Sequence, residues 1–259
     1  MALNLPIRDW QDRRCWIVGA STGIGAALAD ALVAKGARVA LSARRAAPLK
    51  EMAGRYGKGR ALALPLDITD APALEEATAA LVKAWGGLDL VVFMAGEYTP
   101  MRAWDLRLDV ARKMVEVNLM GYFNGLAAVV PQFMAQGSGT IALVSSVAGY
   151  RGLPKSLVYG PTKAAVINLA EALYLDLQPK GIGVCVVNPG FVRTPMTDQN
   201  DFRMPALIEP EEAAREIVRG LEDGEFEIHF PKRFTRFLKA LRLLPYGSYF
   251  SAARKATGR

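Results

Sequence analysis

The chain of 259 residues has few of the groups that most often carry metal and nucleophilic chemistry: two cysteines, Cys15 and Cys185, and one histidine, His229. That inventory is too small for a zinc site or a Ser-His-Asp triad, so no metal is expected and acid–base chemistry must come from other side chains. Both cysteines lie among apolar, β-branched neighbours and read as buried free thiols. Long apolar runs are also missing. None approaches the roughly 18 to 20 consecutive apolar residues that a membrane span needs. The opening stretch MALNLPIRDWQDRRCWIVGA carries charges where a secretory signal has an apolar run, and a cytoplasmic location is the expectation.

Acidic residues are absent from one end. Residues 231–259 hold eight basic groups (Lys232, Arg233, Arg236, Lys239, Arg242, Arg254, Lys255, Arg259) and no acid. Of 32 basic and 25 acidic residues, 24 and 25 therefore remain for residues 1–230, a net of −1. The overall +7 is a property of the tail, and the near-neutral body argues against nucleic-acid binding.

What is present is a large apolar fraction, 51%, arranged in a regular alternation. Short continuous apolar runs at 14–20, 37–43, 60–66, 88–95, 139–146 and 182–188 read as strands covered on both faces, and EFEIHF at 225–230 as a seventh at one edge. Helical patterns fall between them, for example at 24–35, 70–84, 111–135 and 160–178. Strand–helix alternation of this kind predicts a single α/β domain over residues 1–230. It is a Rossmann-type, doubly wound parallel sheet of about seven strands with helices on both faces. Residues 231–259 form a basic amphipathic extension.

The first strand runs into GASTGIGAALADALVAKG, where Gly19, Gly23 and Gly25 are spaced G-x-x-x-G-x-G and a helix begins within the motif. Glycines there permit a tight turn and close backbone approach. The helix N-terminus then offers free N–H groups to a pyrophosphate. At the end of the second strand, where an acid would hold a free ribose 2′-hydroxyl, the chain reads VALSARRAAP, with Arg44 and Arg45 and no acid. Guanidinium suits a 2′-phosphate, so NADP is favoured over NAD. Asp67, after the third strand, could accept from an adenine amino group or cap the helix beginning near Thr69.

In SSVAGYRGLPKSLVYGPTKAAV, residues 145–166, Tyr159 and Lys163 stand one helical turn apart, with Ser146 upstream. Ser146, Tyr159 and Lys163 have the spacing of the short-chain dehydrogenase/reductase active site. With the glycine motif, Asn118 in EVNLMG and NPGFVRTPM at 188–196, residues 13–230 resemble that family. The resemblance implies a dinucleotide held by Gly19, Ser21, Thr22, Gly23, Ile24, Gly25, Arg44, Arg45, Asp67, Ala95, Gly96, Asn118, Tyr159, Lys163, Pro189, Gly190, Val192 and Thr194. It further implies catalysis by Asn118, Ser146, Tyr159 and Lys163 on a carbonyl or secondary alcohol, in a homodimer or homotetramer built on the helices at 111–135 and 160–178. Asn118 would bend its helix and hold a water that links Lys163 to solvent. An ordinary tyrosine has a pKa near 10 and is about 0.1% phenolate at pH 7. A nearby ammonium and the positive nicotinamide ring are expected to lower it, so that Tyr159 can exchange a proton with substrate. Relatives of this fold that have lost the tyrosine act as nucleotide sensors, whereas here the full set is present.

One departure stands out. The family usually has Asn-Asn-Ala-Gly after the fourth strand, and here the chain reads Phe93-Met94-Ala95-Gly96. A more apolar cleft follows, and Met94, Tyr150 and the Met and Phe residues of 195–210 point to an apolar or lipid-like substrate. In the tail, Phe234, Phe237, Leu238, Leu241 and Leu244 fall on one helical face and Arg233, Arg236, Lys239 and Arg242 on the other. Such a face either packs on the body or a partner subunit, or lies on a membrane surface as a peripheral contact through 231–250. A membrane-peripheral scaffold is the corresponding alternative function.

Overall fold

In the computed structural model, which describes residues 2–57, 59–202 and 204–256, every expected strand forms. The strands are β1 (Arg14–Val18), β2 (Arg38–Ser42), β3 (Ala61–Ala63), β4 (Leu90–Phe93), β5 (Gly139–Val144), β6 (Ile182–Pro189) and β7 (Glu227–Phe230). Most stop short of their apolar runs because the last residues of those runs belong to loops at the carboxyl ends. All pairings are parallel, in the order β3-β2-β1-β4-β5-β6-β7, so β7 is an edge strand and the order reverses between β1 and β4. Ligands bind in the crevice at such a reversal.

Helices α1 (Gly23–Ala34), α2 (Ala46–Arg55) and α7 (Pro210–Glu222) cover one face of the sheet, burying Leu28, Leu32, Leu49, Met52, Ile217 and Leu221. On the other face α3 (Ala71–Trp85), α5 (Gly121–Gln136) and α6 (Tyr159–Leu177) bury Leu74, Leu81, Val129, Phe133, Val166 and Ala170. Cys15 and Cys185 are buried free thiols within the sheet. Asp70, not Asp67, caps α3, its Oδ1 accepting from the Ala73 N–H at 3.1 Å. The helix expected over 111–135 starts earlier, as α4 (Leu108–Val115), and passes through one π turn at Glu116–Met120 into α5.

The Phe93 substitution has a structural counterpart. Its ring is fully buried at the sheet centre, and a Cβ on Gly125 of α5 would come within 2.2 Å of it. The glycine leaves room for an aromatic ring where the family has an amide.

The tail forms two helices, α8 (Lys232–Arg242) and α9 (Tyr246–Ala256), broken at Pro245. The single apolar face expected from periodicity does not hold. Phe234 and Leu238 pack on the body and Thr235 is fully buried, while Phe237 is exposed and Lys239 is paired with Glu227. Arg259 lies outside the described residues. Among the described residues no helix is long and apolar enough to cross a membrane.

Candidate active site

The carboxyl ends of β1, β4, β5 and β6 open into one cleft of about 700 Å³. Its first wall is made of backbone. Gly19 has φ +110°, and a Cβ there would stand 2.6 Å from the Ala95 nitrogen, so a side chain would break the approach of β1 to β4. A Cβ on Gly25 would lie 2.2 Å from the Gly19 carbonyl oxygen. Thr22 opens α1 without a side-chain cap, and the first turn contains no acid. The positive end of a twelve-residue helix therefore borders the cleft with its N–H groups unclaimed by a carboxylate.

Every residue expected to bind cofactor lines this cleft except Asn118. Arg44 and Arg45 stand exposed at its edge, and neither is paired with an acid among the described residues. Asp67 lines the cleft and turns one oxygen, Oδ1, to the Thr69 N–H and hydroxyl at 3.0 and 2.9 Å. Thr194 is held by Thr197, whose hydroxyl accepts from the Thr194 N–H at 3.0 Å and donates to the Val192 carbonyl at 2.7 Å.

Asn118 is fully buried in the π turn behind the cleft wall. Its Oδ1 accepts from the Glu97 N–H at 2.7 Å, and its Nδ2 donates to the Glu97 carbonyl at 2.8 Å and to Thr162 Oγ1 at 3.3 Å. The amide thus fixes the loop after β4 and ties it to α6. Both its hydrogens are used, leaving one Oδ1 lone pair.

The second wall carries Ser146, Tyr159 and Lys163. Tyr159 is the first residue of α6 and Lys163 lies one turn on, so both project from one face. Pro161 falls in the first turn, where its missing N–H costs little. Ser145 Oγ donates to the Lys163 carbonyl at 2.7 Å, clamping α6 to the end of β5. Gly149 permits the same closeness, since a Cβ there would meet the Lys163 carbonyl carbon at 2.7 Å. Ser146 Oγ accepts from the Ala148 N–H at 3.1 Å, which leaves its own hydrogen to turn toward Tyr159 and the cleft. Lys163 Nζ donates to the Val144 carbonyl at 2.9 Å and stands 5.7 Å from the Tyr159 ring centre.

The expected lowering of the Tyr159 pKa is not present in the protein alone. Burial pushes the phenol up to about 12; the Ser146 hydroxyl opposes that, and Tyr98 adds to it. Burial also brings the Lys163 ammonium down to about 7, so near neutral pH it is only partly charged. In the protein alone the partly charged lysine does not offset the effect of burial on the phenol.

Three features escaped the sequence. Tyr98 packs edge-on against Tyr159, with ring centres 4.9 Å apart. Tyr150, expected in the substrate pocket, instead turns away and donates to Glu227 Oε1 at 2.6 Å, because that half-buried carboxylate offers a strong acceptor. Glu227 also accepts from Asn188 and Lys239; burial pushes its pKa up, but these donors hold it below the usual carboxylate value. Arg151, next in the loop, donates through Nη1 to the carbonyls of Leu241, Arg242 and Leu244 at 3.1, 3.0 and 2.7 Å, and lies over the rings of Tyr246 and Tyr249. The loop between Ser146 and Tyr159 is therefore bolted to the end of α8. No local pattern signals contacts this distant.

A family model described as short chain dehydrogenase matches residues 13–203. The chain belongs to the short-chain dehydrogenase family. An oxidoreductase of Myxococcus xanthus, itself uncharacterized, is 34% identical over 245 residues, covering 94% of this chain and 97% of its own. Another from Staphylococcus haemolyticus is 32% identical over 205 residues, 79% and 89% of the two chains. Among solved structures, a short-chain dehydrogenase/reductase from Serratia marcescens aligns with TM-score 0.75 at 28% identity, over 85% of this chain and 97% of that one. One from Burkholderia phymatum, in complex with NAD, aligns with TM-score 0.82 over 89% and 93%; at 20% identity that likeness concerns the fold alone. As a short-chain dehydrogenase, the chain is an oxidoreductase of a family that uses NAD(P).

Proposed function

We propose that the protein interconverts a carbonyl compound and a secondary alcohol using NADP(H), with Tyr159 as general acid and base. The observation that carries this reading is the placing of Ser146, Tyr159 and Lys163 on one wall of a cleft whose other wall is an uncapped helix N-terminus stripped of Cβ atoms. A dinucleotide fits that cradle. Gly19, Gly23 and Gly25 would admit the pyrophosphate, Asp67 the adenine, Ala95, Gly96 and Lys163 the nicotinamide ribose, and Thr194 its carboxamide, with Pro189, Gly190 and Val192 lining the same end. Arg44 and Arg45, unpaired at the edge where β2 ends without an acid, favour a 2′-phosphate. When bound, the dinucleotide supplies or accepts the hydride.

The chain's own residues handle the proton. Ser146 directs its hydrogen to the substrate oxygen. Tyr159, a neutral phenol in the free protein, donates to that oxygen in reduction and takes the proton back in oxidation. Lys163 holds the ribose and restores the proton, its remaining hydrogens turned from Val144 to the cleft, and the spare Oδ1 lone pair of Asn118 orders a water toward solvent. Met94, Met196, Ile68 and Val117 line the cleft and favour an apolar substrate. Exposed Met120, Phe123, Met134 and Leu175 on and beside α5 and α6 supply the contact for a homodimer or homotetramer.

NADPH absorbance followed with a panel of aldehydes and ketones tests the reading. Turnover with NADPH that Tyr159→Phe abolishes is the expected result. Faster turnover with NADH overturns the cofactor choice, and tight NADPH binding without turnover of any carbonyl makes the protein a nucleotide sensor.

A further inference from the structure

We infer that the outer face of the α8 and α9 helices docks on an anionic lipid surface. Their inner side accounts for their folding. Phe234 and Leu238 pack on the core, Thr235 is fully buried with its hydroxyl donating to the Pro231 carbonyl at 3.0 Å, and Lys239 pairs with Glu227. Arg151 and the Tyr249 hydroxyl, which donates to the Gly152 carbonyl at 2.7 Å, close the far end. A helix pair seated this way needs no apolar groups on the other side.

It has them nonetheless. Phe237 is 58% exposed, Leu243 86%, Tyr246 72% and Phe250 50%. Arg233 and Arg236 are exposed among them and unpaired with any acid among the described residues. Large apolar side chains interspersed with cations match a lipid interface, where the cations meet anionic headgroups and the apolar groups enter the acyl boundary. Charge complementarity decides the occupant. Residues 231–259 contain no acid, so a second copy laid on the same patch sets cation against cation. Nucleic acid would use the charges but leave four large apolar groups unburied.

Sedimentation of the full chain with vesicles tests docking without any turnover. Vesicles of phosphatidylglycerol and phosphatidylcholine in equal parts should bind the protein at least about ten-fold more tightly than phosphatidylcholine alone, and added salt should weaken the binding. Arg233→Gln/Arg236→Gln should weaken it about 25-fold, at about five-fold per cation. Phe237→Ser/Leu243→Ser should weaken it with NADPH binding unchanged. Equal binding to both vesicles, or an unaffected Arg233→Gln/Arg236→Gln variant, overturns the inference. So does tighter binding to duplex DNA in the same salt, or a smaller oligomer for Phe237→Ser/Leu243→Ser by light scattering, which would mean that another copy covers the patch.

Discussion

The two walls of the cleft are made by different means. Around β1 and α1 the site consists of backbone: a positive φ at Gly19, missing Cβ atoms and an uncapped helix end. Around β5 and α6 it consists of side chains held from far along the chain, by Asn118, by Glu227 and by the Arg151 clamp on the tail. The first wall is a local product of about seven consecutive residues. The second is assembled from contacts up to 97 positions apart. Damage to the first should therefore abolish binding, whereas damage to the second should spare binding and impair chemistry.

That contrast can be broken at its strongest point by Tyr159→Phe, which removes one oxygen. Reduction of the best carbonyl substrate should fall about 1,000-fold while fluorescence titration shows NADPH still bound. Gly19→Val should do the reverse. Dinucleotide binding disappears, and the φ of +110° alone costs about 1–3 kcal/mol in a denaturant melt. Arg44→Ser/Arg45→Ser should lower the NADPH-over-NADH preference in kcat/KM roughly 10- to 100-fold, carried by charge-assisted bonds to phosphate. Arg151→Ala should cut kcat about ten-fold with the Kd for NADPH unchanged, because it positions the loop between Ser146 and Tyr159 and touches no ligand. A matching loss of NADPH binding would erase the distinction between the walls.

A further prediction concerns pH. Burial lowers Lys163 from 10.5 in the unfolded chain to about 7 in the fold. Between those values the unfolded chain binds the extra proton, so stability rises with pH from about 7 to about 10.5. Below about 7 the ammonium is charged in both states and its burial counts fully against the fold. Lys163→Met should accordingly raise Tm more at pH 6 than at pH 10.

The contrast also explains what could be read in advance. All seven strands were legible because strands covered on both faces are continuous apolar runs, and the first wall because glycine spacing writes backbone geometry directly. That Ser146, Tyr159 and Lys163 meet in the cleft was legible from the spacing they share with the family. Tyr150 was misplaced because its partner, Glu227, is 77 residues away. The tail was misread as one amphipathic face because periodicity cannot show that Arg151 and Glu227 hold one side of it, or that Pro245 breaks it in two. The direction of the Tyr159 shift was missed for a related reason. Spacing puts an ammonium nearby but does not reveal how far burial acts against both charges.

The central claim is that the free protein holds a neutral phenol and that dinucleotide binding completes the proton carrier. Ultraviolet difference titration of wild type against Tyr159→Phe, with and without NADP+, measures this directly. Ionisation of Tyr159 near pH 12 in the free protein, moving to markedly lower pH with NADP+ bound, is the predicted result. A phenol already ionised near neutral pH in the free protein, or one that NADP+ leaves unmoved, would contradict it.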